Sequence, residues 1–92
     1  MTIVTFSSTL KNGATLTGLS IDSVAVATSN GSALFDADPA RDGHRVYYRI
    51  SGPQGASMSW DIKQGATTLK KADITVNPGQ TEANGWRPFK LL

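Results

Sequence analysis

The chain has 92 residues, no Cys, one His, and nine Lys or Arg against seven Asp or Glu, for a net charge of +2. That length holds one hydrophobic core, so residues 1–92 read as a single domain, and the lack of Cys excludes disulfides, thiolate metal sites and a cysteine nucleophile. Charged residues are only 17% of the chain, and so small a positive surplus disfavours the dense basic stripe of a nucleic-acid binder.

Turn-forming residues punctuate the chain at short, even intervals. The breaks are Asn12-Gly13, Asn30-Gly31, Asp42-Gly43, Gly52-Pro53-Gln54-Gly55, Gln64-Gly65, Asn77-Pro78-Gly79-Gln80 and Asn84-Gly85, each built from residues that tolerate positive φ or start turns. Asn12-Gly13 reads as a hairpin turn, and no window sustains a helical period. The first strand, Thr2 to Leu10, sets Val4 and Phe6 against Ile3 and Thr5. Ala14 to Leu19 follows, anchored by Leu16, and Ser20 to Thr28 reads as one strand with Val24 and Val26 on one side. Ala33-Leu34-Phe35 is a short piece with edge character. His44 to Ser51 alternates cleanly, Val46, Tyr48 and Ile50 against Arg45, Tyr47 and Arg49. Ala56 to Lys63 does the same, Met58, Trp60 and Ile62 against Ser57, Ser59, Asp61 and Lys63. Thr67 to Val76 carries Leu69, Ile74 and Val76 with a bend expected near Lys71-Ala72, and Gly85 to Leu92 closes the chain, Pro88 favouring an edge position.

Clean alternation means a sheet packed on one face and wetted on the other. Strands this short and numerous must bury their inner faces against one another, in a sandwich or a small barrel. The sandwich is preferred because Trp60, in a mid-chain strand, is placed like the core Trp of immunoglobulin-type domains. The expected fold is therefore all-β, an immunoglobulin-like antiparallel β-sandwich of about seven to eight short strands, with a small β-barrel as second choice.

Asp61-Ile-Lys-Gln-Gly-Ala-Thr-Thr-Leu69 followed by Ala72-Asp-Ile-Thr-Val-Asn-Pro-Gly-Gln-Thr81 resembles the strand, glycine-turn, strand and Pro-Gly-Gln-Thr layout of small immunoglobulin-like modules. Such modules recur on tailed-bacteriophage virions and bacterial surface proteins. The resemblance rests on turn chemistry and transfers no catalytic or binding residue. It implies a capsid decoration, head-fibre or tail component that acts by docking.

Four constellations could carry function. Asp36-Ala-Asp38-Pro-Ala-Arg-Asp42-Gly43 has the carboxylate spacing of a cation loop, but Ala40, Arg41 and Tyr47 occupy the positions where an EF-hand needs an oxygen ligand, Gly and Glu. An exposed loop whose Asp side chains satisfy turn amides is the simpler account, with a cation site or an inhibitory loop as the alternatives. Arg45, Tyr47 and Arg49 share one strand face. They could grip an acidic protein partner, bind a glycan or stack and neutralise single-stranded nucleic acid, or simply pair cross-strand with Asp61 or another carboxylate. Trp86-Arg87-Pro88-Phe89-Lys90-Leu91-Leu92 is unusually apolar for a terminus. It reads either as a last strand with Trp86 or Phe89 in the core, or as a strand that docks on a neighbouring subunit. His44, next to Asp42 and near Ser51, Ser57 and Ser59, has no nucleophile signature around it, and a surface position is expected.

The functional expectation is a non-enzymatic structural or assembly protein, with no cofactor and no metal. Its partners are proteins, through self-association or a larger virion or surface assembly, with Arg45, Tyr47, Arg49, Trp86, Arg87, Phe89, Leu91 and Leu92 as interface candidates. A binding module for glycan or single-stranded nucleic acid using the Arg45/Tyr47/Arg49 face is the alternative. No signal-like segment and no membrane-spanning run is visible, so synthesis in the cytoplasm is expected; residence in a virion or assembled particle is what the resemblance implies.

Overall fold

In the computed structural model, which describes residues 2–92, the chain forms eight strands and no helix. They are β1 (Thr2–Lys11), β2 (Thr15–Ile21), β3 (Val24–Ala25), β4 (Ser32–Ala37), β5 (His44–Ser51), β6 (Ser57–Gln64), β7 (Thr67–Thr75) and β8 (Glu82–Phe89). Two four-stranded antiparallel sheets result, ordered β4-β1-β6-β7 and β3-β2-β5-β8. The fold is a β-sandwich, as the alternation predicts; the sheets do not join into a barrel.

The core lies where the two inner faces meet. Val4 and Phe6 of β1, Met58, Trp60 and Ile62 of β6, and Val46, Tyr48 and Ile50 of β5 are all buried, matching the period-two pattern of those segments. Trp60 is the hub: its ring lies 5.9 Å from Phe6 in its own sheet and 5.1 Å from Tyr48 in the other. Aromatic pairs at such distances add roughly 0.5–1.5 kcal/mol each beyond their area burial. On β2 a bulge between Leu16 and Gly18 shifts the register, which lets Leu16, Leu19 and Ile21 all turn inward despite their mixed parity. A second irregularity, between Ile62 and Lys63 of β6, leaves Leu69 of β7 unpaired, so β7 is irregular there and not at Lys71-Ala72.

The structure corrects three turn expectations. Asn12 and Gly13 do form a tight turn, with φ of 57° and 81° and Ala14 N–H donating to Lys11 O at 3.2 Å. The flanking strands nevertheless enter different sheets, so the turn is a corner and not a hairpin. Ser20 to Thr28 is not one strand. Asp22 and Ser23, at φ of 52° and 68°, fold it back between Ile21 and Val24, and Val24 ends up exposed. Asn84-Gly85 is no turn at all. It lies inside β8, where Gly85 sits opposite Tyr48; a Cβ there would stand 3.0 Å from the Tyr48 hydroxyl and 3.1–3.2 Å from ring carbons. Glycine is present because the tyrosine ring occupies its side-chain space.

Both edge assignments hold. β4 and β8 are terminal strands of their sheets, and Pro88 lies on β8 opposite Arg45. None of the described residues forms a helix long and apolar enough to cross a membrane.

Candidate functional site

Register, more than local sequence, builds the most distinctive surface. On β5 the odd positions Arg45, Tyr47 and Arg49 point away from the core and the even ones into it. β8 pairs with β5 so that Trp86 falls opposite Tyr47 and Asn84 opposite Arg49. The Tyr47 and Trp86 rings stand 6.3 Å apart at 33°. The Arg45 guanidinium carbon lies 4.5 Å from the centre of the Trp86 ring, inside the range of a cation–π interaction. Arg49 Nε donates to Thr17 Oγ1 at 3.3 Å, and that hydroxyl donates to Arg49 O at 3.2 Å, so the second arginine is steered by β2. Tyr47 and Trp86 remain 46% and 43% exposed, so this ladder is a surface and not a core.

The charge around it is one-sided. All four arginines of the chain, Arg41, Arg45, Arg49 and Arg87, lie in or just before strands of the β3-β2-β5-β8 sheet, whereas four of the five lysines belong to the other sheet. Among the strands of the arginine-bearing sheet the single carboxylate is Glu82, at the end of β8 opposite Ser51. Asp61, the expected cross-strand partner of the arginines, is in the other sheet opposite Lys71. Among the described residues the ion pair is Arg41–Asp22 at 3.6 Å, and Asp22 also takes a 2.6 Å hydrogen bond from His44; neither contact involves the side chain of Arg45 or Arg49.

Asp22 is the residue that sequence reasoning missed. From the turn between β2 and β3 it accepts the Nδ1 hydrogen of His44 at 2.6 Å and the backbone N–H of Arg45 at 2.9 Å. It also holds the exposed Arg41 guanidinium. His44, expected at the surface, is buried: it takes the inward parity of β5 and stacks on Phe89 at 5.2 Å and 21°. Among the described residues its Nε2 has no partner and no hydroxyl is held there, and Ser57 and Ser59 belong to the opposite sheet. Asp22, Arg41, His44, Arg45, Tyr47 and Pro88 border a surface depression of about 550 Å³ at the end of the ladder. The only sequence signal for Asp22 is an Asp-Ser pair able to enter the left-handed region.

The remaining candidates are dispersed. Phe89 is in the core, Leu91 packs on its rim, and Leu92 is exposed while its N–H donates to Gln64 Oε1 at 2.9 Å. Arg87, paired with inward-facing Val46, turns back out and donates to the Trp86 carbonyl at 2.8 Å. The terminal segment therefore completes the sandwich with Phe89 inside and Trp86 outside. In the acidic loop Asp38 Oδ1 accepts the Ala40 N–H at 2.9 Å and Asp36 Oδ1 accepts the Thr2 N–H at 3.1 Å. Among the described residues no group of three or more His, Cys, Asp or Glu is placed to hold a metal ion.

Compared with protein-family models, curated proteins and solved structures, the chain matches none.

Proposed function

We propose that this protein is a non-enzymatic docking subunit of a larger assembly, of the virion-component kind that its turn layout resembles. Its contact surface is the outer face of the β3-β2-β5-β8 sheet, and the partner surface is an acidic protein patch. The observation that carries the proposal is the Arg45–Trp86–Tyr47 ladder, partly exposed and continued by Arg49 with no carboxylate paired to either arginine. Trp, Tyr and Arg are the residue types that dominate interface hot spots. Here they are held in place before any partner arrives, which lowers the ordering cost of binding. Unpaired arginines make the face complementary to carboxylates and give it selectivity against basic surfaces.

The test is a titration followed by the fluorescence of the exposed Trp86, with poly-glutamate and oligo-deoxythymidine of matched charge as probes. Poly-glutamate is expected to bind more tightly of the two. Trp86→Ala and the Arg45→Ala/Arg49→Ala pair should each weaken it by about 2 kcal/mol, the size of a hot-spot truncation. Tighter binding of the oligonucleotide, with fluorescence quenched by base stacking, would transfer the face to the nucleic-acid alternative. Binding unaffected by the arginine substitutions would overturn the docking role of the face.

A further inference from the structure

The four sheet edges are not equally protected. β3 is two residues long. β7 carries Lys70 and Lys71 and an irregular register, and β8 carries Pro88 and an exposed arginine, Arg87, at a register position opposite the inward-facing Val46; these are devices that block edge-to-edge pairing. β4, Ser-Ala-Leu-Phe-Asp-Ala over Ser32–Ala37, has no Lys, Arg, Pro or bulge. Its Leu34 is 71% exposed and lies diagonally across from Ile3, itself an exposed apolar residue.

The hydrogen bonds of the preceding turn show which backbone groups β4 leaves open. Ser32 exchanges both its N–H and its C=O with Ser29, at 3.1 and 2.8 Å, so these groups point away from β1. The Gly31 carbonyl accepts from Ser8 N–H at 2.9 Å and points toward β1. In an antiparallel strand the two polar groups of a residue point to the same side, and the side alternates along the chain. Ala33, Phe35 and Ala37 therefore bond to β1, while Leu34 and Asp36 present their N–H and C=O groups outward.

We infer that β4 pairs antiparallel with β4 of a second copy of this chain, about a two-fold axis at Phe35. In that register Leu34 opposes the partner's Asp36 and the reverse, so the four outward groups of one edge bond the four of the other with none left over. Phe35 faces the partner's Phe35 as a non-hydrogen-bonded pair, the closer kind, with Cα atoms about 4.5 Å apart. The neighbouring registers fail. An axis at Leu34 demands the Ser32 groups already used by Ser29, and an axis at Asp36 sets two carboxylates opposite each other. The Ser29–Ser32 turn at one end and Pro39 beyond the other limit the pairing to this window. A second copy is the occupant because the edge is complementary to itself in register and backbone groups, and this register keeps the two Asp36 carboxylates from facing each other. This goes beyond the docking proposal and involves none of the residues of the arginine-bearing face.

Sedimentation equilibrium of the full chain tests it, up to about 1 mM so that a small, weak interface is captured. A monomer–dimer equilibrium is expected. L34E places a carboxylate opposite the partner's Asp36 twice and should weaken the dimer about tenfold, whereas L34K places an ammonium there and should leave it as tight or tighter. L34P removes a donor that the monomer does not use and should abolish the dimer; circular dichroism checks that it folds, and if it does not, the Glu and Lys variants decide. A monomer at every concentration, a ring larger than two, or equal weakening by L34E and L34K would overturn the inference.

Discussion

Asp22 connects the turn, the buried histidine and the cationic face, and substitutions there separate its contributions. Asp22→Ala removes the acceptor of the 2.6 Å His44 bond and of the 2.9 Å Arg45 N–H bond. It also puts a residue with no polar side chain at a φ of 52°. Leaving the buried imidazole nitrogen without its acceptor costs about 1–3 kcal/mol, and the left-handed backbone about 1–2 kcal/mol more for alanine. A total near 3 kcal/mol is expected, or a fall in Tm of about 12–24 °C at the 4–8 °C per kcal/mol of a domain this size. Asp22→Gly keeps the turn conformation and should recover about 1 kcal/mol of that loss. Asp22→Asn can still accept from Arg45 N–H but turns its amide toward His44, which must then accept at Nδ1 and carry its hydrogen on the unpartnered Nε2; the loss should be about 1–2 kcal/mol. Thermal and urea denaturation at neutral pH give the order wild type, Asn, Gly, Ala. An asparagine variant as stable as wild type would refute the role of the His44–Asp22 bond, and equal glycine and alanine variants would refute the strain in the turn.

Two glycine predictions follow from close approaches. Gly85→Ala should cost about 1–2 kcal/mol by overpacking against the Tyr48 ring. In a Tyr48→Leu background that cost should fall below about 0.5 kcal/mol, because leucine ends short of the contacted atoms; an unchanged cost in urea denaturation would point to backbone strain instead. Gly31 and Gly79 share a φ near 80°, but a Cβ at Gly31 would stand 2.9 Å from Ser8 O whereas none is obstructed at Gly79. Gly79→Ala should therefore cost about 1–2 kcal/mol and Gly31→Ala about 1–3 kcal/mol more; equal losses would mean that β1 yields to the added methyl.

The parts of the fold that were legible in the sequence are those set by side-chain period. The segments around Val46–Ile50 and Met58–Ile62 alternate because each lies centrally in its sheet with one face on the core. Turn chemistry located most of the chain reversals but not what they join. Asn12-Gly13 supplies two positive φ angles whether the strands on either side pair or part, and the competition among distant strands for partners decides which. The Asp22-Ser23 turn was hidden because its polar partners, His44 and the Arg45 N–H, lie 22 and 23 residues away. Gly85 was misread because a glycine demanded by a neighbour's ring looks the same in sequence as one demanded by a turn. The arginine strip was visible within β5, and Trp86 was visible only as part of the apolar segment Trp86–Leu92. Only the β5–β8 register, which sets Tyr47 against Trp86 across nearly half the chain, joins them into one surface.

The two proposed surfaces have a geometric consequence when taken together. Pairing β4 with its copy about an axis normal to the sheet continues the β4-β1-β6-β7 layer from one subunit into the next. Such an axis leaves each layer on its own side, so the β3-β2-β5-β8 sheets of both copies, and the Arg45–Trp86–Tyr47 ladders on them, face the same way. A dimer so built is a two-headed clamp for any partner that repeats its acidic patch, as a lattice of identical subunits does. Engagement of the second head becomes intramolecular, and avidity can exceed the affinity of a single face by about 10²–10⁴ when the spacing fits. Weak contacts at each face and a weak edge are then compatible with firm attachment to an array and ready release from a lone partner. This relation also keeps the surfaces separable: substitutions at Leu34 act on attachment only through the dimer, and those at Arg45 and Arg49 leave the dimer intact.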